Sequence, residues 1–415
     1  MHSRILEALT AALDELAARR LVVGFSGGRD SSVLLHALVK LQASSALAAL
    51  HVNHGLHRDA DDWQRHCESI CRAWGVPLKV VRLGLVSGPN AEQRARKARY
   101  AAFSEHTCTG DCLLLAHHRD DQVETMLLRL MRGGATVGMA AMPRRRAIGR
   151  GELARPLLEL PGTELQRYAR DCELSWVDDP SNESEQFDRN YVRHRILPLL
   201  EQRWPGYRQV MARTAALMGD AARLMREISD EDMCTRLGVD GSLAIGDLHN
   251  LSELRQLNLL HGWLTSHEVL TPSRNRLREL VRQSKSGVDA QPCVLFGEVE
   301  IRRFRDALHV VRPHVGGTDE QMRWRPPERA RWCGGTLWAQ PVVGHGLLRD
   351  AVSELEVRAR RGGERVSPSG RVTRPLKKLL QEAHVPPWLR FRLPLAHVGE
   401  ALVVVPGVLV SEGWQ

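Results

Sequence analysis

The run Leu21-Val22-Val23-Gly24-Phe25 leads directly into Ser26-Gly27-Gly28-Arg29-Asp30-Ser31, after which Val33, Leu34, Ala37, Leu38 and Leu41 recur at helical spacing. A short unbroken apolar run suits a strand covered on both faces, and the spacing after it predicts an amphipathic helix over residues 31–42. The chain must turn sharply between the two. Gly27 and Gly28 let backbone amides approach an anion without Cβ obstruction, Ser26 and Ser31 add hydroxyls, and the helix N-terminus adds a favourable dipole. A strand, a phosphate cradle and a helix in this order fit a pyrophosphate-bearing ligand. Gly-x-x-x-x-Gly-Lys-Ser/Thr is absent, so the cradle is not a P-loop.

The same alternation continues. Strands are expected near residues 46–52, 78–83 and 112–117, and helices near 61–74, 91–106 and 120–131. Strands alternating with helices imply an α/β fold, a doubly wound parallel sheet covered on both faces. From about residue 161 the pattern becomes helical, with candidates at 162–172, 189–200 and 207–229. Helices at 251–266 and 273–284 and strands at 299–304 and 307–311 then suggest a small α+β domain. A Gly316-Gly317 link leads to a β-rich end with a helix at 374–384 and a hairpin turning at Pro406-Gly407. The expected domains are 1–230, 231–315 and 316–415, consistent with the two or three that 415 residues usually make. Residues 1–20 read as an amphipathic helix rather than a signal peptide, and no apolar stretch is long enough to span a bilayer, which points to a cytoplasmic protein without a membrane partner.

The eight cysteines are scattered, their closest pairs Cys67/Cys71 and Cys108/Cys112 have three residues between them, and no Cys-x-x-Cys occurs. Neither an iron–sulfur cluster nor a zinc site is expected. The net charge of +9 suggests a polyanionic partner. Arg144, Arg145, Arg146, Arg150 and Arg155 lie close together, and residues 351–415 hold ten Lys/Arg against six acidic residues, so RNA is the favoured partner.

A second constellation, His117-His118-Arg119-Asp120-Asp121-Gln122-Val123-Glu124-Thr125, follows a predicted strand and so stands at a carboxyl end of the sheet, where ligands collect in doubly wound folds. Asp121 and Glu124 are one helical turn apart, as are Asp120 and Glu124. Such carboxylates could orient an amine or a magnesium ion, or act as a base; alone, they could equally be solvated charges at a helix N-terminus.

The Ser26–Ser31 stretch resembles the signature of the PP-loop ATP pyrophosphatases, which split ATP into AMP and pyrophosphate while adenylating a substrate. Adding His51-Val52-Asn53-His54-Gly55-Leu56, the His-His-x-Asp-Asp-Gln-x-Glu-Thr segment, Arg132-Gly133-Gly134, Arg155-Pro156-Leu157-Leu158, Asp188-Arg189-Asn190 and the late Lys377-Lys378-Leu379-Leu380-Gln381-Glu382 and Val385-Pro386-Pro387-Trp388-Leu389-Arg390, the chain is similar to the tRNA(Ile)-lysidine synthase family. The resemblance implies ATP as substrate, Mg²⁺, free L-lysine and a CAU-anticodon tRNA(Ile); a homodimer is compatible with it. It implies ATP contacts for Ser26, Gly27, Gly28, Arg29, Asp30 and Ser31, with Asp30 also near Mg²⁺. Asp121 and Glu124 would lie near lysine and the reacting centre, with Arg189 and Arg193 on phosphate or the adenylated intermediate. His54 and His117 could contact nucleotide or shape the pocket, and as single histidines they could equally be satisfied structural residues. Arg365, Lys377, Lys378 and Arg390 are candidates for tRNA, while Trp388 suits either base stacking or a core anchor. A tRNA sulfur-transferase, a small-molecule ligase and a nonenzymatic ATP-responsive RNA binder remain alternatives at this point.

Overall fold

The computed structural model describes residues 4–16, 18–42, 46–84, 88, 91–269, 273–285, 292–313, 321–348, 353–368 and 372–415. The chain divides into two compact units, Met1–Met225 and Arg226–Gln415.

The first unit is built on strands β1 Arg20–Gly24, β2 Ala46–Asn53, β3 Leu78–Arg82, β4 Asp111–Leu114, β5 Arg145–Ile148 and β6 Gly151–Ala154. They lie in the order β3-β2-β1-β4-β6-β5. All pair in parallel except β5, which pairs antiparallel with β6. Helices α1 Arg4–Asp14, α2 Arg29–Lys40, α3 Ala60–Ala73, α4 Ala91–Glu105, α5 Arg119–Met131, the short α6 Thr136–Met139 and α7 Gly162–Asp171 accompany the sheet. Side chains alternate across a strand, so both faces of β1 need apolar residues to be covered. Leu21 and Val23 pack with Ile5 and Leu9 of α1, Leu34 and Leu38 of α2, Cys67 of α3 and Leu165 of α7. Val22 joins Leu50, Phe103 of α4 and Leu113 on the other face. This double coverage explains the unbroken apolar run that opens the chain's first βα unit.

The structure departs from the sequence expectation in four places. The parallel sheet gains an antiparallel edge strand, because residues 144–155, where no strand was expected, fold as the β5–β6 hairpin. Arg145 pairs there with Glu152 through two bonds of 2.7 Å, and Arg155 is 2% exposed. Among the described residues the N-terminal helix runs Arg4–Asp14 and stops short of Arg20. The helix expected at 189–200 is α8 Asp188–Tyr191, a π-helical turn Val192–Ile196 and α9 Leu197–Arg203. Pro198 has no N–H to bond the carbonyl of His194 one turn earlier, and the ladder widens there. Finally, the helix expected at 374–384 is shorter, since Arg374–Pro375 is drawn into a strand pair described below.

Helix α10, Tyr207–Cys234, carries the chain into the second unit. There β7 Leu243–Ala244, β8 Cys293–Phe296, β9 Val299–Phe304 and β10 Ala307–Val311 form an antiparallel sheet in the order β7-β10-β9-β8. Helices α11 Glu253–Ser266 and α12 Arg274–Ser284 pack on it through Leu260, Trp263, Leu264, Leu277 and Leu280 against Val294, Ile301 and Leu308. The remainder is rich in β structure: β11 Gln321–Trp324, β12 Ala330–Trp332, β13 Gly335–Leu337, β14 Leu355–Arg358, β15 Arg365–Val366, β16 Arg374–Pro375, helix α13 Leu376–Glu382, β17 Leu395–Val398, β18 Ala401–Val405 and β19 Leu409–Val410. The main sheet runs β11-β14-β17-β18-β19, and β15 pairs with β16. The expected hairpin turns at Pro406-Gly407, where Gly407 has φ +73°. The Gly316-Gly317 link lies outside the described residues. No helix among the described residues is long and apolar enough to cross a membrane.

Candidate active site

Strands β1 and β4 are neighbours in register, Val23 opposite Leu114, and the connections leaving them run to opposite sides in the strand order. This is the topological switch point where open α/β sheets leave a crevice at their carboxyl ends. The glycine loop leaves β1 and the His-His-Arg-Asp-Asp segment leaves β4, so the two sequence constellations face each other.

The loop is held from within. Ser31 Oγ donates to Gly28 O at 2.9 Å and lies 3.0 Å from Ser26 Oγ, which accepts from Gly28 N at 3.3 Å. Gly27 has φ +82°, and a Cβ there would stand 2.8 Å from Cys67 Sγ on α3. Glycine is thus required twice, for the left-handed backbone and for the close approach. Gly28 forms the α2 N-cap without a side-chain cap, leaving N-terminal amides for an anion.

Asp30, on the first turn of α2, bonds Arg29 Nε at 2.8 Å and stands 3.5 Å from His118 Nε2. The His118 ring also lies 3.6 Å from carboxylate oxygens of Asp120 and Asp121, while its backbone N–H donates to Asp121 Oδ2 at 2.9 Å. Burial opposes a charge on His118, but Asp121, Asp30 and Asp120 outweigh it and raise the pKa to about 9. A protonated Nδ1 cannot accept the weak 3.3 Å bond from Asp120 N–H and instead meets the Asp120 carboxylate, 3.6 Å away. Burial likewise works against ionisation of Asp30 and Asp121, yet His118 and the neighbouring arginines hold both below the usual carboxylate range.

Asp121 and Glu124 do share one face of α5, and two arginines close on them from the segment around the π turn. Arg189 Nε donates to Glu124 at 2.6 Å and its terminal nitrogen to Asp121 at 2.7 Å. Arg193 Nε donates to the other Glu124 oxygen at 2.6 Å and lies 3.7 Å from Asp121. Glu124 is 1% exposed. These carboxylates are therefore paired within the fold rather than solvated, and the π turn sets the phase at which Arg193 reaches Glu124. Asp120 plays a different part from its neighbours, accepting from Gly162 N at 3.1 Å and pairing with Arg208 at 3.0 Å, so that it ties α5 to α7 and α10.

A neighbouring layer went unrecognised in the sequence. Arg155 bonds His117 Nδ1 at 3.3 Å, Pro143 O at 2.7 Å and Tyr100 Oη at 3.5 Å. Arg96 and Arg146 each hold a guanidinium 5.2 Å from the Tyr100 ring centre. Arg96 and Tyr100 stand four residues apart on α4, a spacing that could have marked them as one face. Burial lowers the His117 pKa to about 3, with Arg155, Arg189 and Arg99 acting in the same direction against Asp121. His54 is lowered to about 4 by burial and by Arg99 and His51, and its Nδ1 is buried without a hydrogen-bond partner among the described residues.

The residues expected to meet tRNA lie in the second unit. Lys377 and Lys378 are exposed on α13, whose Leu376, Leu379 and Leu380 are buried, and Arg365 is exposed on β15. Arg390 is half-buried, its Nε donating to Val385 O at 2.9 Å. Trp388 is half-buried too, edge-on to Phe304 at 5.9 Å and His309 at 5.4 Å, with Arg302 5.8 Å from its ring centre. Packed this way, it anchors the segment around Val385–Arg390 against β9 and β10.

Three segments of the chain match known family models. Residues 1–200 match the family model described as PP-loop domain, residues 243–309 the TilS substrate binding domain and residues 355–415 the TilS substrate C-terminal domain. The tRNA(Ile)-lysidine synthase of Enterobacter sp. (strain 638) is 39% identical over 406 residues, covering 95% of this chain and 94% of that protein. Those of Legionella pneumophila (strain Paris) and Pseudomonas fluorescens (strain Pf0-1) are 36% and 40% identical, covering 95% and 96% of this chain and 92% and 93% of theirs. With such identity sustained over nearly its whole length, the chain belongs to the tRNA(Ile)-lysidine synthase family.

Proposed function

We propose that this chain joins free L-lysine to C2 of the wobble cytidine, position 34, of CAU-anticodon tRNA(Ile), through an adenylated cytidine, giving lysidine, AMP and pyrophosphate. The observation that carries the reading is the meeting, through Asp30 and His118 at 3.5 Å, of a phosphate cradle with a buried carboxylate–arginine cluster. One half suits ATP, the other an amine and an anionic intermediate.

The Gly27 and Gly28 amides, the Ser26 and Ser31 hydroxyls and Arg29 would hold the ATP phosphates. Asp30 offers an anionic oxygen beside them, which fits Mg²⁺, since that ion takes one or two carboxylates and completes its shell with phosphate and water. Bound there, Mg²⁺ would offset phosphate charge. Adenylation converts the cytosine C2 oxygen, a poor leaving group, into AMP, and lysine must then attack as the neutral amine. Asp121 and Glu124 would orient that amine. Because Arg189 and Arg193 already share their charge, the carboxylates do not lock the amine as an ammonium ion; the same guanidiniums would favour the departing phosphate. In the second unit Arg365, Lys377, Lys378 and Arg390 would grip the tRNA backbone.

The reading is tested by following AMP with each component withheld. Lysine omission should leave adenylated tRNA to accumulate, and tRNA omission should stop AMP release. AMP release from ATP and an amine without RNA would replace this function with that of a small-molecule ligase.

A further inference from the structure

His117 leaves the end of β4 beside Arg155, which is 2% exposed. Among the described residues the Arg155 guanidinium makes three hydrogen bonds, all to neutral groups: the His117 ring, the Pro143 carbonyl and the Tyr100 phenol. A guanidinium carries donors only and keeps its proton, so at the 3.3 Å contact His117 Nδ1 must be the acceptor, with a free lone pair. The imidazole is then neutral and its single hydrogen sits on Nε2, which has no hydrogen-bond partner among the described residues. The residue is half-buried, and its ring lies within electrostatic reach of Asp121 as well as against the Arg155–Tyr100 layer.

We propose that Arg155 is a positioning residue for the reaction: acting through His117, it fixes the neutral tautomer and presents Nε2–H as a hydrogen-bond donor to a substrate oxygen that gains negative charge as the cytidine is adenylated. The proposal rests on the function given above. A donor held in place before the reaction favours developing charge without reorganisation, and a neutral imidazole does so without forming a salt bridge to the ground state. It also removes His117 from the groups that could take a proton from lysine, because Nε2 already bears one and Nδ1 is engaged by Arg155.

The test uses the full-length protein with ¹⁵N-labelled histidine, His117→Gln serving to assign the signal, alongside single-turnover formation of adenylated tRNA without lysine. The natural chain should show His117 as the Nε2–H tautomer. Arg155→Ala should mix the tautomers and slow adenylation about 10- to 100-fold at saturating ATP and tRNA, with KM values little changed. Arg155→Lys, which keeps a charged donor, should restore the tautomer and part of the rate. A folded Arg155→Ala protein with an unchanged adenylation rate would overturn the proposal. So would an Nδ1–H tautomer in the natural chain, or a change confined to KM. If the natural chain forms no adenylated tRNA, the function falls instead, while the tautomer measurement still decides whether Arg155 governs His117.

Discussion

Replacing Glu124 by glutamine tests the centre of the site with little change of volume. Glu124 is 1% exposed and accepts from Arg189 Nε and Arg193 Nε at 2.6 Å and from a terminal nitrogen of Arg193 at 3.0 Å. Glutamine keeps one acceptor oxygen but turns an amide donor toward a guanidinium donor. Hydrogen bonds to charged groups are each worth about 1.5–3 kcal/mol, yet removing one partner of a buried ion pair costs about 3–5 kcal/mol in total, so the three contacts are not additive. The lower end applies here, because the Arg193 side chain is 38% exposed and Asp121 still holds Arg189 at 2.7 Å. A loss of about 3 kcal/mol follows. For a unit the size of Met1–Met225, each kcal/mol moves Tm by about 2–4 °C, which puts the drop at about 6–12 °C. Calorimetry of the full-length protein would read it, and ATP affinity should stay within about twofold because Glu124 does not touch the glycine loop. A shift under about 2 °C would refute the reasoning, since it would mean that the arginines do not depend on Glu124.

Gly27→Ala should weaken ATP binding by about tenfold or more, from a left-handed penalty of about 1–2 kcal/mol plus the 2.8 Å approach to Cys67 Sγ. Adding Cys67→Ala should relieve only the second part, and unchanged affinity in the single variant would show that the loop amides do not grip phosphate. Lys377→Ala with Lys378→Ala should weaken tRNA binding and reduce the slope of log affinity against log salt by about 1–2, leaving ATP affinity alone; an unaltered slope would remove both lysines from the interface. Asp111 is held below its ordinary pKa because Arg20 and the Cys108 N–H outweigh the opposing effect of its burial. A depressed carboxylate contributes stability that is present above its unfolded pKa and lost as pH falls through the folded value. Asp111→Asn should therefore cost about 1 kcal/mol at neutral pH, discounted for the exposed Arg20, and the gap should close as pH is lowered below 3.8. A pH-independent gap in denaturant titrations would reject the charge as its cause.

Local order was largely legible in the sequence. The apolar run, the glycine turn and the helix after it are consecutive, so their physics is written in neighbouring residues, and β2, β3, α3, α4 and α5 follow the same rule. That Asp121 and Glu124 share a face follows from helical spacing alone. What closes on them does not, because Arg189 and Arg193 reach Glu124 across more than sixty residues of chain, and the π turn that aims Arg193 arises from a proline in an otherwise helical pattern. Arg155 was misread for a related reason. Counted by charge it belongs with Arg144, Arg145, Arg146 and Arg150 on a basic surface, and only the pairing of Arg155 N with Arg144 O and the packing beneath Tyr100 reveal that it turns inward. Trp388 shows the opposite limit: its aromatic surface suited RNA as well as packing, and the packing against Phe304 and His309 becomes visible only in the fold.

Mass spectrometry of the RNA product reads the proposed reaction at the wobble base itself. Full-length protein, ATP, Mg²⁺ and isotopically labelled lysine are incubated with unmodified CAU-anticodon tRNA(Ile), and the RNA is digested to nucleosides. Labelled lysidine should stand in place of the wobble cytidine, and none should form with Glu124→Gln protein assayed below its lowered melting point. An unmodified cytidine beside a working positive control, or a thiolated nucleoside, would contradict the proposed reaction.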